Sequence, residues 1–341
     1  MRHVSTFDSF LKNTVNLSQP RLDTLEGRVE SIYAALKADP DLGPRIVTKI
    51  PQGSWAQRTI ISPQNGKPFD ADFLLQMKEE SDWAYVLKKY AAAVYGALDD
   101  HPTYGKMPHG RKCRCVYVEY AENAMHVDIV PFVVRSDGSQ NIINRDRNCW
   151  ERTDPDGFTE WMRGRDKTAN GHLRKVIRLL KFLRDHKNSF TGTKSILITA
   201  LLGEQVSWWK KFATPGYYSD LPTSLLHLIS DLDEWLQARE NKPSIMDPSG
   251  SGVTFDHRWS EETYSYFRDR IHVHAEEITD AYHETDESRS IAKWQALFGD
   301  KFQPSETTTR SAKFTSIGSA GAVGAGRVYR ATSSSRSGRA G

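Results

Sequence analysis

The spacing of apolar residues changes period along the chain, and the change lays out the expected elements. After Ser18, with Pro20 in the first turn, Leu22, Leu25, Val29, Ile32, Tyr33 and Leu36 recur at helical spacing. They predict a long helix behind a shorter one over residues 6–15. Residues 45–49 are β-like, and residues 82–98 predict an amphipathic helix with a small-residue middle. Residues 112–120 set Cys113, Cys115, Tyr117 and Glu119 against Arg114, Val116, Val118 and Tyr120, the alternation of a strand, with residues 125–134 as its hairpin partner. Asn65-Gly66 is a turn signal within residues 62–68, a loop or hairpin that connects a helix starting at residues 53–54 to the strand that follows. Past about residue 155 the period of two fades. Residues 158–166, 172–186, 194–211, 224–239 and 258–283 then carry helical spacing, with Val176, Leu179, Leu180 and Leu183 as a core stripe. The expected fold class is α+β: a lobe of strands and helices over residues 1–154, followed by a helical lobe over 155–302. No internal repeat is present.

Beyond Phe302 the composition turns to Ser, Gly, Ala, Thr and Arg, so residues 303–341 are expected to form a disordered tail that cannot bury enough apolar surface to order itself. That tail holds Arg310, Lys313, Arg327, Arg330, Arg336 and Arg339 against the single acid Glu306. The whole chain carries only +3, so the body is near neutral, and a small soluble substrate fits it better than a long polynucleotide. No apolar run approaches the roughly 18 residues of a membrane span, and residues 1–12 lack the apolar region of a signal peptide. The expected place is the cytoplasm, without a membrane partner. Three cysteines leave one unpaired in any disulfide scheme, which fits a reducing compartment. Cys113 and Cys115 near His109 match no common zinc spacing, so buried thiols are expected rather than a metal site.

The chemistry concentrates in residues 51–73, PQGSWAQRTIISPQNGKPFDADF, and in residues 125–132, MHVDIVPF. Side chains on a strand alternate faces, so Asp70 and Asp72 point the same way with Ala71 opposed. Asp128 lies in a second apolar run able to pair beside the first. Three convergent carboxylates repel one another unless a cation neutralises them, and hard oxygen donors suit two Mg2+ or Mn2+ ions. A paired site of that kind serves in-line phosphoryl or nucleotidyl transfer. Gly53-Ser54 stands at the expected start of a helix, where free backbone N–H groups can hold a triphosphate, Ser54 adds a hydroxyl, and Gly53 permits close approach. The pattern is that of a metal-dependent nucleotidyltransferase.

These residues resemble the bacterial cGAS/DncV-like nucleotidyltransferases, the cyclic oligonucleotide synthases of CBASS anti-phage signalling, over roughly residues 15–300. Gly53-Ser54 with Thr59 resembles the family's Gly-Ser-x(4)-Thr opening, after Gln52. Asp70-Ala71-Asp72 resembles its metal-binding pair, and residues 126–131, HVDIVP, resemble the strand with the third acid. Lys181 and Ser195 resemble the lysine and serine that reach the triphosphate from the helical lobe. Residues 243–259 resemble the late proline-containing loop, with Asp247-Pro248 where the family has Asn-Pro. The resemblance implies a polymerase-β-like enzyme that joins nucleoside triphosphates, ATP among them, into a cyclic di- or trinucleotide with release of pyrophosphate. It makes Asp128 the candidate to take the hydroxyl proton, directly or through the metal alone. It also implies, in systems with a ubiquitin-ligase-like partner, conjugation through the C-terminal carboxylate, here Gly341. A Ser- and Gly-rich tether of this length spans roughly 30–35 Å.

Two other readings share the residues. A linear polymerase or tRNA-type enzyme uses the same acids but calls for a basic RNA-tracking surface. A degenerate nucleotide sensor would not need all three acids together with Lys181.

Overall fold

Leu25, Val29, Ile32 and Leu36 lie three and four residues apart, and all four are buried along one side of α2 (Gln19–Ala38). Pro20 sits in the first turn, where its missing N–H costs nothing. The computed structural model describes residues 1–64, 69–120 and 125–304. The Asn65-Gly66 turn and all but the first two residues of the expected tail, Gly341 included, lie outside the described residues. Ahead of α2, α1 (Val4–Phe10) widens into a π-helical turn, Leu11–Val15.

The first strand, β1 (Ile46–Gln52), runs three residues further than its β-like core predicts and ends directly at α3 (Gly53–Ala56). Then come β2 (Phe69–Met77), α4 (Lys88–Asp99), β3 (His109–Arg111), β4 (Val116–Tyr120) and β5 (Met125–Val134). Two short strands follow, β6 (Gln140–Asn144) and β7 (Cys149–Arg152). Among the described residues they complete one mixed sheet in the order β1-β2-β5-β4-β3, with β6 on β5 and β7 on β6. Among the described strands only β2 and β5 run parallel, and they carry Asp70, Asp72 and Asp128. The helices α5 (Pro155–Thr168), α6 (Leu173–His186), α7 (Ser195–Gln205), α8 (Trp208–Ala213), α9 (Leu221–Gln237), α10 (Glu261–His283) and α11 (Glu287–Phe298) complete the body.

Residues Met1–Gln303 form one compact unit with two principal apolar cores. One joins α2 and α4 to one face of the sheet, from Leu17 to Ile143. The other gathers the helices from Phe158 to Phe302, and it also takes in Phe7, Phe10, Leu11 and Val15. Phe7 meets Trp294 edge-on at 4.9 Å and Phe10 meets Phe182 at 5.2 Å. The first helix thus departs from the expected grouping of residues 1–154, because its aromatic face finds aromatic partners only among the later helices.

Other expectations shift for local reasons. Cys113 and Cys115 do not share a strand face: the chain bends between β3 and β4, where the Lys112 N–H donates to the Cys115 carbonyl. All three thiols are free, and Cys113 donates to Asn144 Oδ1. The helix expected over 82–98 begins at Lys88, after a 3-10 turn, Ser81–Trp83. The one expected over 194–211 breaks at Val206, and Ser207 caps α8 by accepting from the Lys210 N–H. Among the described residues no helix is long and apolar enough to cross a membrane.

Candidate active site

Register alone brings the motifs together. In the antiparallel pair of β1 and β2, Gln52 stands opposite Asp72 and Pro51 opposite Phe73, so the Gly53-Ser54 turn emerges beside the aspartate strand. In the parallel pair, Asp72 stands opposite Asp128 and Asp70 opposite His126. Neighbouring strands lie about 4.8 Å apart and opposed residues share a face. Gln52, Asp70, Asp72, His126 and Asp128 therefore leave one face of the sheet, while Ala71 and Val127 are buried on the other. The apolar flanks Phe73, Leu75, Ile129 and Val133 hold both strands in the core and fix this register.

This face forms part of a cavity of about 1090 Å3. Gln52, Gly53, Ser54 and Thr59 line it, as do Asp70, Asp72 and Asp128; Lys181 and Ser195 reach it from α6 and α7. Each of the expected site residues within the described chain borders this one space. Helix α3 is a single turn, so its contribution is free N–H groups rather than a sizeable dipole. Ser54 makes no side-chain hydrogen bond among the described residues; its carbonyl accepts from the Thr59 N–H at 2.8 Å, which closes the turn.

Gly53 is required for a reason the motif alone does not give. Its φ is +64°, and a Cβ there would lie 2.2 Å from Asp72 Oδ2. Gly53→Ala is expected to push the Asp72 carboxylate out of place, with a loss of about 1–3 kcal/mol in stability from backbone strain and a fall in turnover beyond what that loss explains. Thermal melts beside pyrophosphate-release rates check this; wild-type turnover in the variant would remove the constraint.

The electrostatics are those of an under-neutralised anion cluster. Burial, then Asp128, then Asp70 push the Asp72 carboxyl up to about 7. Asp70 is also held above its ordinary value, by desolvation first, with His126 pulling it down and Asp128 pushing it up. Asp128 accepts from Lys112 Nζ at 3.0 and 3.1 Å. Burial works against the Lys112 charge, but this contact outweighs it and the ammonium pKa rises. His126 Nε2 lies 3.3 Å from Asp70 Oδ1 and 3.8 Å from Asp128 Oδ1. Among the described residues no three acid, histidine or cysteine side chains are gathered at ligating distance, since Asp128 and Asp70 face Lys112 and His126 instead. The donor set nonetheless fits a hard divalent cation: hard oxygen donors from adjacent strands, carrying charge that the chain leaves uncompensated at Asp72.

Lys181 is 5 % exposed, and its ammonium donates to the Thr59 carbonyl at 2.8 Å. Burial, then Arg184, lower its pKa to about 8, against the pull of Asp185 and Asp70. Thr59 is thus a backbone strut between the Gly-Ser turn and α6, and its own side chain is buried. Ser195 Oγ accepts from Arg184 Nη1 at 3.3 Å. Arg184, Lys112 and His126 escaped the sequence reading. Arg184 lies three residues after Lys181 on one helix face, and His126 two before Asp128 on one strand face, so period marked both. Lys112 arrives through a bend that carries no pattern.

Residues 1–166 match the family described as Second Messenger Oligonucleotide or Dinucleotide Synthetase domain. A protein from Acinetobacter sp. named cyclic AMP-AMP-AMP synthase is 23% identical over 210 residues, which span 60% of this chain and 60% of that protein. Among solved structures, the cyclic AMP-GMP synthase DncV of Vibrio cholerae, in complex with nonhydrolyzable GTP, superposes with a TM-score of 0.69 at 16% identity, covering 89% of this chain and 98% of that one. The CD-NTase CdnG of Bradyrhizobium diazoefficiens, in complex with GTP, gives 0.69 at 16%, covering 92% and 98%. These likenesses establish the fold, a mixed sheet joined to helices as in DncV and CdnG, which is the architecture the resemblance implies.

Proposed function

We propose that this chain is a member of the bacterial cGAS/DncV-like nucleotidyltransferases and that it joins nucleoside triphosphates, ATP among them, into a cyclic di- or trinucleotide with release of pyrophosphate. The observation that carries the reading is the register that sets Asp72 beside Asp128 and both beside the Gly53-Ser54 turn, in one cavity with Lys181. The relative named cyclic AMP-AMP-AMP synthase supports adenine as one base.

Asp70, Asp72 and Asp128 would hold the divalent cations, Mg2+ or Mn2+ and two in number. When bound, the metal lowers the cost of ionising the attacking hydroxyl and of charge on the departing pyrophosphate. The chain's own groups do the rest. The N–H groups and hydroxyl of Gly53-Ser54 bind and orient the triphosphate, and Lys181 supplies a cation from the helical side. Asp128 would accept the hydroxyl proton once Lys112 turns from it toward phosphate oxygens. The cavity walls restrict water, which would otherwise compete with the hydroxyl.

Pyrophosphate release and phosphatase-resistant product from triphosphates and Mg2+ alone, with no nucleic acid added, test the reading. Dependence on an added RNA would instead favour a linear polymerase.

A further inference from the structure

The cavity has a second set of polar residues, away from the acids and not used by the chemistry above. Glu151 lines it from β7, Arg114 from the bend between β3 and β4, and Asp247 and Arg258 from the segment between α9 and α10. Arg258 closes a 3-10 turn, Asp256–Arg258, and its N–H donates to the Phe255 carbonyl at 2.8 Å. Phe255 and Trp259 on either side are buried, and Trp259 packs edge-on against Tyr264 at 5.2 Å. Lys242 Nζ ties the turn down through the carbonyls of Asp256 and Trp259, at 3.2 and 3.3 Å. The backbone that presents Arg258 is therefore anchored.

Its guanidinium is not satisfied. Nε is buried without a hydrogen-bond partner, and among the described residues the side chain has no ion pair or hydrogen bond. Burial, and then the charge of Arg114, depress its pKa. The nearby carboxylates are engaged elsewhere. Glu151 accepts from Arg114 Nε, from Arg114 Nη2 at 2.9 Å and from Asn144 Nδ2 at 2.7 Å. Asp247 accepts from the Ser249 N–H at 2.9 Å and Ser251 Oγ at 2.8 Å, and Asp154, also on the cavity wall, from the Gly157 N–H at 2.8 Å. A buried donor left without an acceptor costs about 1–3 kcal/mol, and the other N–H groups of this cavity-lining guanidinium also have no acceptor among the described residues.

We propose that Arg258 is the base-reading residue of a guanine subsite in this cavity, its guanidinium fork donating to N7 and O6 of a bound guanine nucleotide. The assignment rests on the reading of the cavity as a nucleoside triphosphate site. Guanine offers two adjacent acceptors on that edge; adenine places its N6 amino group where O6 would be, so donor would face donor. An arginine fork matched to two acceptors is worth about 1–3 kcal/mol of discrimination, roughly ten- to a hundredfold in affinity.

The test is equilibrium binding of GTP, ITP, 7-deaza-GTP, ATP and CTP to the full chain, with Ca2+ replacing Mg2+ to restrain turnover. The wild type is compared with Arg258→Ala and Arg258→Lys, with thermal melts confirming that each variant is folded. ITP keeps N7 and O6, whereas 7-deaza-GTP lacks N7. The expected result is that both substitutions weaken GTP and ITP about ten- to a hundredfold and leave ATP within about twofold, while the wild type binds 7-deaza-GTP more weakly than GTP. Equal losses for all five triphosphates, or full rescue by lysine, would assign Arg258 to phosphate and overturn the proposal. So would unchanged GTP binding, or a loss confined to CTP. In each of those cases the nucleotide site itself stands. A wild-type chain that binds none of the five overturns both readings together.

Discussion

Asp72→Asn is expected to lower pyrophosphate release by about a thousandfold or more, the scale on which loss of one central transition-state contact is felt, while making the metal-free protein more stable. The two effects share one cause. Asp72 stands beside Asp128 in the parallel register, with Asp70 on the same face, and burial with their repulsion pushes its carboxyl up to about 7. Its unfolded value is 3.8. Between those two values the folded chain holds a proton that the unfolded chain has released. The stability from that proton is complete below about pH 4 and is lost as pH rises through 7. Thermal melts in a chelator should therefore show wild-type stability falling from pH 5 to pH 8, and a flatter profile for Asp72→Asn. Divalent cations should stabilise the wild type more at pH 8 than at pH 5, because metal and proton compete for the same oxygens. A variant with wild-type turnover, or with the same pH slope as the wild type in chelator, would remove Asp72 from the proposed metal site.

Lys181→Met should weaken triphosphate binding about ten- to a hundredfold, as removal of one charge-assisted contact of 1.5–3 kcal/mol does, with little change in stability at neutral pH. The ammonium is buried and spends one donor on the Thr59 carbonyl, so methionine removes a costly buried charge and one hydrogen bond together. Burial lowers its pKa to about 8 from 10.5. Folding therefore gains stability as pH rises from 8 toward 10.5, where the folded chain has shed a proton that the unfolded chain retains. Bound phosphates would restore the charge, so ATP affinity is expected to decline above pH 8 in the wild type and to lose that dependence in Lys181→Met. Unchanged affinity in the variant would make Lys181 a strut for Thr59 rather than a phosphate ligand.

The acids were legible because a strand alternates and the chain spends apolar residues on both sides of Asp70, Asp72 and Asp128; a carboxylate in such a run is too costly to be incidental. Gly53 was legible as a glycine that something must approach closely. That its own neighbour Asp72 occupies the space follows only from the pairing of β1 with β2. The helices after residue 155 followed from spacing, apart from α11. There Asp286 caps the helix and Trp294, Leu297 and Phe298 bury at helical intervals, a pattern present in the sequence but overlooked because it lies beside a composition shift. Strands β6 and β7 are five and four residues of mixed polarity, held by pairing of β6 on β5 and of β7 on β6, too short for a period to show. Lys112, Arg258 and the aromatic packing of α1 depend on long-range contacts, which no local pattern encodes.

The central claim, that this cavity closes nucleotides into a ring, is tested most directly by mass spectrometry of the products made by the purified full chain from the four nucleoside triphosphates with Mg2+, beside Asp128→Asn. The account predicts a product whose mass is a whole number of nucleoside monophosphates less one water for each, with no terminal phosphate for phosphatase to remove, and none from the variant. Products that keep a 5'-triphosphate and lengthen without limit, or cyclic product from Asp128→Asn at the wild-type rate, would contradict it.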